Sequence, residues 1–120
     1  MAKHLRFSMD GKAYQAVLQD GPLPETIAAM CPFEAVYTSG GSHEYYATLP
    51  SKARAAVGNA TTKGHRNGLY FFEDWNALSL VIQDCDTAPY QIHYIGEFDE
   101  ALSAALEKEG GRVNILCEAI

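Results

Sequence analysis

A chain of 120 residues that is 48% hydrophobic and 20% charged has enough apolar side chains for the core of one globular domain. At this size roughly two-thirds of the unfolded surface is buried without any disulfide or metal staple. The net charge of −6 excludes general nucleic-acid binding, which needs a concentrated basic face, and Cys31, Cys85 and Cys117, far apart and without CxxC spacing, exclude a disulfide framework or zinc ribbon and read as small core residues of a reducing compartment.

From Met1 to Phe7 the chain turns charged and alternating at once, without the apolar stretch of a secretory signal. No apolar run approaches the ~18 residues of a membrane span, so the expected location is the cytoplasm, with no membrane partner. Leu5, Phe7 and Met9 alternate with His4, Arg6 and Ser8, the period of a half-buried strand. Asp10-Gly11 is a two-residue hairpin signal, and Tyr14, Ala16 and Leu18 resume the alternation on a returning strand. Pro24 to Met30 predicts a helix, with Pro and Glu in its first turn and Pro32 stopping it. Phe33 to Thr38 predicts a strand, Ser39-Gly40-Gly41-Ser42 a flexible turn, and Glu44 to Leu49 another strand.

Pro50 to Gly68 loses periodicity and reads as a long loop, apart from a helical turn at Lys52 to Val57; such loops are uncommon in compact domains unless they cover a site. Leu69 to Phe72 and Leu78 to Ile82 are strands joined through Glu73 to Asn76, and Gln91 to Gly96 is a further one. Asp99 caps a helix reaching Glu109, with Ala101, Leu102, Ala105 and Leu106 as its apolar stripe and Gly110 as its stop. Arg112 to Glu118 closes the chain as a strand. About eight strands and two helices result. Such a set satisfies its edges most simply by closing into a mostly antiparallel β-barrel; the alternative is an open α+β sheet with both helices on one face. An eight-stranded barrel is filled by its own side chains, so a ligand is expected outside it or under a loop.

Several segments in this order resemble the small bacterial and archaeal cyclophilin-like proteins: the hairpin Met9-Asp10-Gly11-Lys12, Pro32-Phe33-Glu34 after a helix, Glu44-Tyr45-Tyr46-Ala47-Thr48, Asp74-Trp75-Asn76-Ala77-Leu78-Ser79-Leu80 entered from Gly68-Leu69-Tyr70-Phe71, and Tyr94-Ile95-Gly96. The resemblance implies an eight-stranded antiparallel closed barrel capped by two α-helices, with residues 1–120 as a single cyclophilin-like domain. A true prolyl isomerase of that fold carries a Phe-His-Arg type stretch and a Gln-Gly-Gly-Asp type turn, and the chain has neither. His65-Arg66-Asn67-Gly68 stands where many relatives have a Gly-Asp-x-Gly turn.

Between Tyr45 and Phe72 there is no Asp or Glu, yet Lys52, Arg54, Lys63 and Arg66 fall there with His65. As a site, Arg54 or Arg66 chelates a carboxylate through two parallel hydrogen bonds, with His65 beside them and Tyr70 and Trp75 as an apolar wall. The competing reading is ordinary: solvated loop charges, packed aromatics, and Trp75 sealing the barrel. His43-Glu44, His65 and His93 show no metal-ligand spacing, no cofactor motif is read, and neither Ser79 nor Cys31 stands in a nucleophile signature. Acidic neighbours raise the Cys85 thiol.

The expected function is a non-enzymatic binding module for a small anionic molecule or a peptide, using the outer barrel face and the 50–68 loop. The alternative is a weak peptidyl-prolyl cis-trans isomerase whose arginine polarises the prolyl amide, a reading that rests on fold resemblance alone. Self-association through Tyr45, Tyr46, Tyr90 and Tyr94 stays open as a third role.

Overall fold

The computed structural model describes residues 3–54 and 60–120. Alternation along β1 (Lys3–Met9) buries Leu5, Phe7 and Met9. Asp10 and Gly11, at φ 52° and 77°, supply the two positive φ values that a tight hairpin needs. They return the chain into β2 (Lys12–Leu18) with Met9 opposite Lys12. Helix α1 (Pro22–Ala29) starts on proline and buries Leu23, Pro24, Ile27 and Ala28. The chain continues through β3 (Phe33–Gly40), β4 (Glu44–Thr48), β5 (Ala60–Thr61), β6 (Lys63–Gly64), β7 (Gly68–Phe72), a 3-10 turn over Glu73–Trp75, β8 (Ala77–Val81), β9 (Cys85–Asp86), β10 (Ile92–Phe98), α2 (Glu100–Leu106) and β11 (Arg112–Ala119).

The long strands form the ring β2-β1-β11-β3-β4-β8-β7-β10, and β10 pairs back onto β2. Every pairing is antiparallel. The barrel is therefore closed, and the open α+β sheet is excluded. One closing contact zips β1 to β11, with Phe7 opposite Cys117; another is the short seam Gly96–Leu18, Glu97–Val17, Phe98–Ala16. Inside, Leu5, Phe7, Leu18, Leu69, Leu80 and Ile115 share one cluster with Ile27 of α1 and with Leu102 and Leu106 of α2, so the interior is filled by the chain itself. Among the described residues no helix is long and apolar enough to cross a membrane.

Several elements differ from the sequence expectation. Ser39 and Gly40 extend β3, and the turn moves to Gly41, whose φ is 66°. The 50–68 stretch is not one loop: β5 pairs with β10 and β6 with β9, ladders too short to leave an alternating pattern. The helical turn expected over Lys52 to Val57 falls largely outside the described residues. Helix α2 stops at Leu106 rather than Glu109, because Lys108 and Glu109 donate to the carbonyls three residues back, on Ala105 and Leu106, a tightening that ends α-helices. Asp99 holds the N-cap position, but its carboxylate accepts from the Gln15 amide at 3.1 Å instead of capping the helix.

Both β7 and β8 are buried along their whole length. Their inward side chains Leu69, Phe71, Leu78 and Leu80 join the core, while Tyr70, Phe72, Ala77 and Val81 form a second cluster with Ile92 on the outer face. A strand covered on both faces reads as a continuous apolar run. Against that outer layer pack the rings of His65, on Tyr70, and Trp75, on Phe72.

Candidate functional site

The residues singled out in the sequence separate into four places. Arg66 is committed to α2. Its Nε and Nη2 donate to the two Glu100 oxygens at 2.7 and 2.5 Å, Nη2 also donates to Glu107 at 2.9 Å, and Nη1 donates to the Ile82 carbonyl at 2.7 Å. A guanidinium so engaged is not open to a ligand carboxylate. The hydrogen bond from Arg66, then that from Asn67, holds the Glu100 carboxyl down at about 2 from an ordinary 4.5. A depressed carboxyl adds stability above its unfolded value and loses it as pH falls through its folded one. The difference in melting temperature between wild type and Glu100→Gln is therefore expected to be full near neutrality and to shrink as pH drops from 4.5 toward 2. A difference independent of pH across that window overturns the assignment.

His65 and Tyr70 do come together, though as a closed network. The Tyr70 hydroxyl accepts from the His65 backbone amide at 3.1 Å and donates to Nδ1 at 2.9 Å, while Nε2 meets Glu97 at 2.5 Å. This pattern fits the Nε2–H tautomer. Tyr94 donates to the same Glu97 oxygen at 2.7 Å. Burial raises the Tyr70 phenol, and burial followed by the bond to Glu97 raises that of Tyr94, so neither phenol is prepared as a base or nucleophile. Gly68 makes room for this arrangement, since a Cβ there would lie 2.4 Å from the Tyr70 ring. Arg54 is exposed next to the 55–59 stretch. Among the described residues no hydrogen bond or ring contact joins it to His65, Arg66, Tyr70 or Trp75.

Trp75 is not a seal on the core. It lies flat on Phe72, with ring centroids 4.5 Å apart and planes 4° from parallel, and remains 54% exposed while Phe72 is 5% exposed. One indole face is thus covered by Phe72 and the other is turned to solvent. Tyr46 and Tyr90 flank it, each at 6.1 Å and tilted by 39° and 41°. Local chemistry fixes the position: Asn76, at φ 49°, ends the 3-10 turn, a left-handed conformation that Asn tolerates. Its side chain accepts from Ala53 N at 2.9 Å and donates to Ser51 O at 2.8 Å.

These rings border an outer groove of about 260 Å³ that also meets Gly40, His43, Glu44, Asp86 and Thr87. Period-two alternation in β4 turns Glu44 and Tyr46 outward and Tyr45 inward. Glu44 accepts from Ser79 Oγ at 2.9 Å and from His43 Nε2 at 3.1 Å, with its side chain only 12% exposed. Asp86 is paired with Lys63 at 2.5 Å, which, with the Ala88 amide, lowers its carboxyl. Burial, then Glu44, raises the Cys85 thiol. Among the described residues no three His, Cys, Asp or Glu side chains gather as metal ligands, and His93 is buried against Phe71 at 6.4 Å. The sequence offered Tyr46 and Tyr90 only as interface aromatics and Glu44 only beside His43. The outward register of Glu44 and Tyr46 on β4 is the signal that places them on Trp75's side of the barrel.

The fold has a counterpart among solved structures. The solution structure of the hypothetical protein AF2241 from Archaeoglobus fulgidus is similar over 98% of this chain and 94% of its own, with a TM-score of 0.76 at 14% identity, a likeness of fold alone. No curated protein matches the chain. The model of the cyclophilin-like family matches residues 7–118, nearly the whole ring from β1 to β11, and this chain therefore belongs to the cyclophilin-like family.

Proposed function

We propose that this protein is a non-enzymatic binding module that seats a peptide side chain in the outer groove at Trp75. The observation that carries the reading is the exposed indole: a large ring stacked on Phe72, flanked by two tyrosines and open to solvent on its far side. Exposed aromatic surface that is already ordered binds at low entropic cost, which is the property of recognition anchors. Neither candidate arginine borders the groove. An anion therefore has no arginine to meet there, and an arginine-assisted isomerase has no such residue to act on a prolyl amide seated there.

The chain has a single tryptophan, so its emission reports on the groove directly. Acetylated and amidated pentapeptides Gly-Gly-Xaa-Gly-Gly, varied at the central residue, are expected to shift the Trp75 emission and the NMR signals of Tyr46 and Tyr90. Trp75→Ala should abolish binding by the responding peptides. Silence of the whole series at millimolar concentration overturns the reading.

A further inference from the structure

Resting on that reading of the groove, we infer that its occupant is a cationic side chain, an arginine or lysine presented by a partner chain. Four observations select charge over plain apolarity. The floor and walls are aromatic, and a ring face attracts a cation through its quadrupole, tryptophan most strongly; here the open face belongs to Trp75, with Tyr46 and Tyr90 tilted beside it. Two carboxylates, Glu44 and Asp86, border the same space, and no Lys or Arg does. Lys63 answers Asp86 from outside the lining, which leaves Glu44 as the charge facing a ligand. The chain as a whole carries −6, which speeds the approach of cations and slows that of anions.

The state of Glu44 decides between a cation and a neutral occupant. Its oxygens are held by the Ser79 hydroxyl and the His43 ring, and its side chain is already 12% exposed. A neutral apolar ligand removes the last water from this carboxylate and returns nothing, which is costly for an ionised group. A guanidinium or ammonium group replaces that water with an opposite charge, while its alkyl stem lies along Trp75 and Tyr46. An anion is repelled by Glu44, and Asp86, already answered by Lys63, adds nothing to attract it. Gly40 contributes to the geometry, because a Cβ there would stand 2.8 Å from the Glu44 Cγ and force the carboxylate out of its place.

The test uses matched pairs on the whole chain, at about pH 8, above the range in which histidine carries charge. The pentapeptide with central arginine is compared with its citrulline analogue, which keeps the shape and loses the charge, and the lysine peptide with its norleucine analogue. Trp75 emission and calorimetry are read. Each charged member is expected to bind about 10-fold more tightly than its neutral partner, and Glu44→Gln, which preserves an acceptor for Ser79, is expected to erase most of that ratio. Equal affinity within both pairs overturns cation recognition and leaves the groove a peptide site. Binding of other central residues but of neither charged member does the same. No binding by any peptide removes the groove reading together with this one. If Glu44→Gln fails to fold, the matched pairs on the wild-type chain still decide.

Discussion

Gly96→Ala is expected to lower the stability of the barrel by about 3 kcal/mol, because it inserts a methyl group into the seam that closes the ring. A Cβ at residue 96 would stand 2.4 Å from the carbonyl oxygen of Val17 and 3.1 Å from the Cα of Leu18. Both are backbone atoms, so no side-chain rotation relieves the contact. The position is also fixed from its other side, where Gly96 faces Leu69 of β7 just after the register shift that follows Tyr94. The seam has three residue pairs, against seven between β1 and β2. It is extended by Gln19 N donating to Ile95 O at 2.9 Å and Asp99 N donating to Gln15 O at 3.0 Å. Thermal denaturation followed by circular dichroism should show a fall of about 12 °C for a domain of this size. An opened seam also leaves β2 and β10 as free edges, so the variant is expected to aggregate more readily. The control is Gly110→Ala, where a Cβ meets nothing within 4 Å and the change should be near neutral. A Gly96→Ala protein that melts with wild type would mean that β2 and β10 are not held at this spacing.

The contrast between these glycines marks what the sequence makes legible. The hairpin at Asp10-Gly11 is readable because positive φ at both residues is a local demand, and β1 is readable because Leu5, Phe7 and Met9 fall on one face. Closure of the ring is a long-range fact. Only the argument from unpaired edges and the family resemblance anticipated it, and the pairing of β2 with β10 leaves no local trace. The basic stretch shows the same limit from the other direction. Arg66 reads as an available cation because its own neighbourhood has no acid, yet its partners Glu100 and Glu107 arrive from 34 and 41 residues further along. The groove gathers Glu44 and Tyr46 from β4, Phe72 from β7, Trp75 from a turn and Tyr90 from the segment before β10. No spacing rule joins such segments; the strand period gives only the face of the first two.

The same long-range logic makes Asn67 the second position of large effect. It sits at φ 73°, where most side chains cost about 1 kcal/mol. From there it joins three elements: its amide donates to Val81 O at 2.8 Å, its carbonyl accepts from Phe98 N at 2.9 Å, and its Oδ1 accepts from Ser103 Oγ at 2.5 Å. Ser103 is fully buried, so removal of its acceptor leaves a hydroxyl stranded in the interior. Asn67→Gly keeps the backbone conformation and loses the bond from Ser103 together with the exposed one that Nδ2 donates to Glu100 at 3.2 Å, for an expected loss of about 2 kcal/mol, most of it from the stranded Ser103 hydroxyl. Asn67→Ala adds the backbone penalty and is expected to lose about 3 kcal/mol. The double variant Asn67→Gly with Ser103→Ala removes both partners at once and should recover about 1 kcal/mol relative to Asn67→Gly alone. Chemical denaturation of wild type, Asn67→Gly, Ser103→Ala and the double variant gives the cycle directly. Full additivity, with no recovery in the double variant, would show that the Ser103 hydroxyl finds another acceptor and that α2 is held over the barrel by its apolar face and the Arg66 ion pairs without help from this bond.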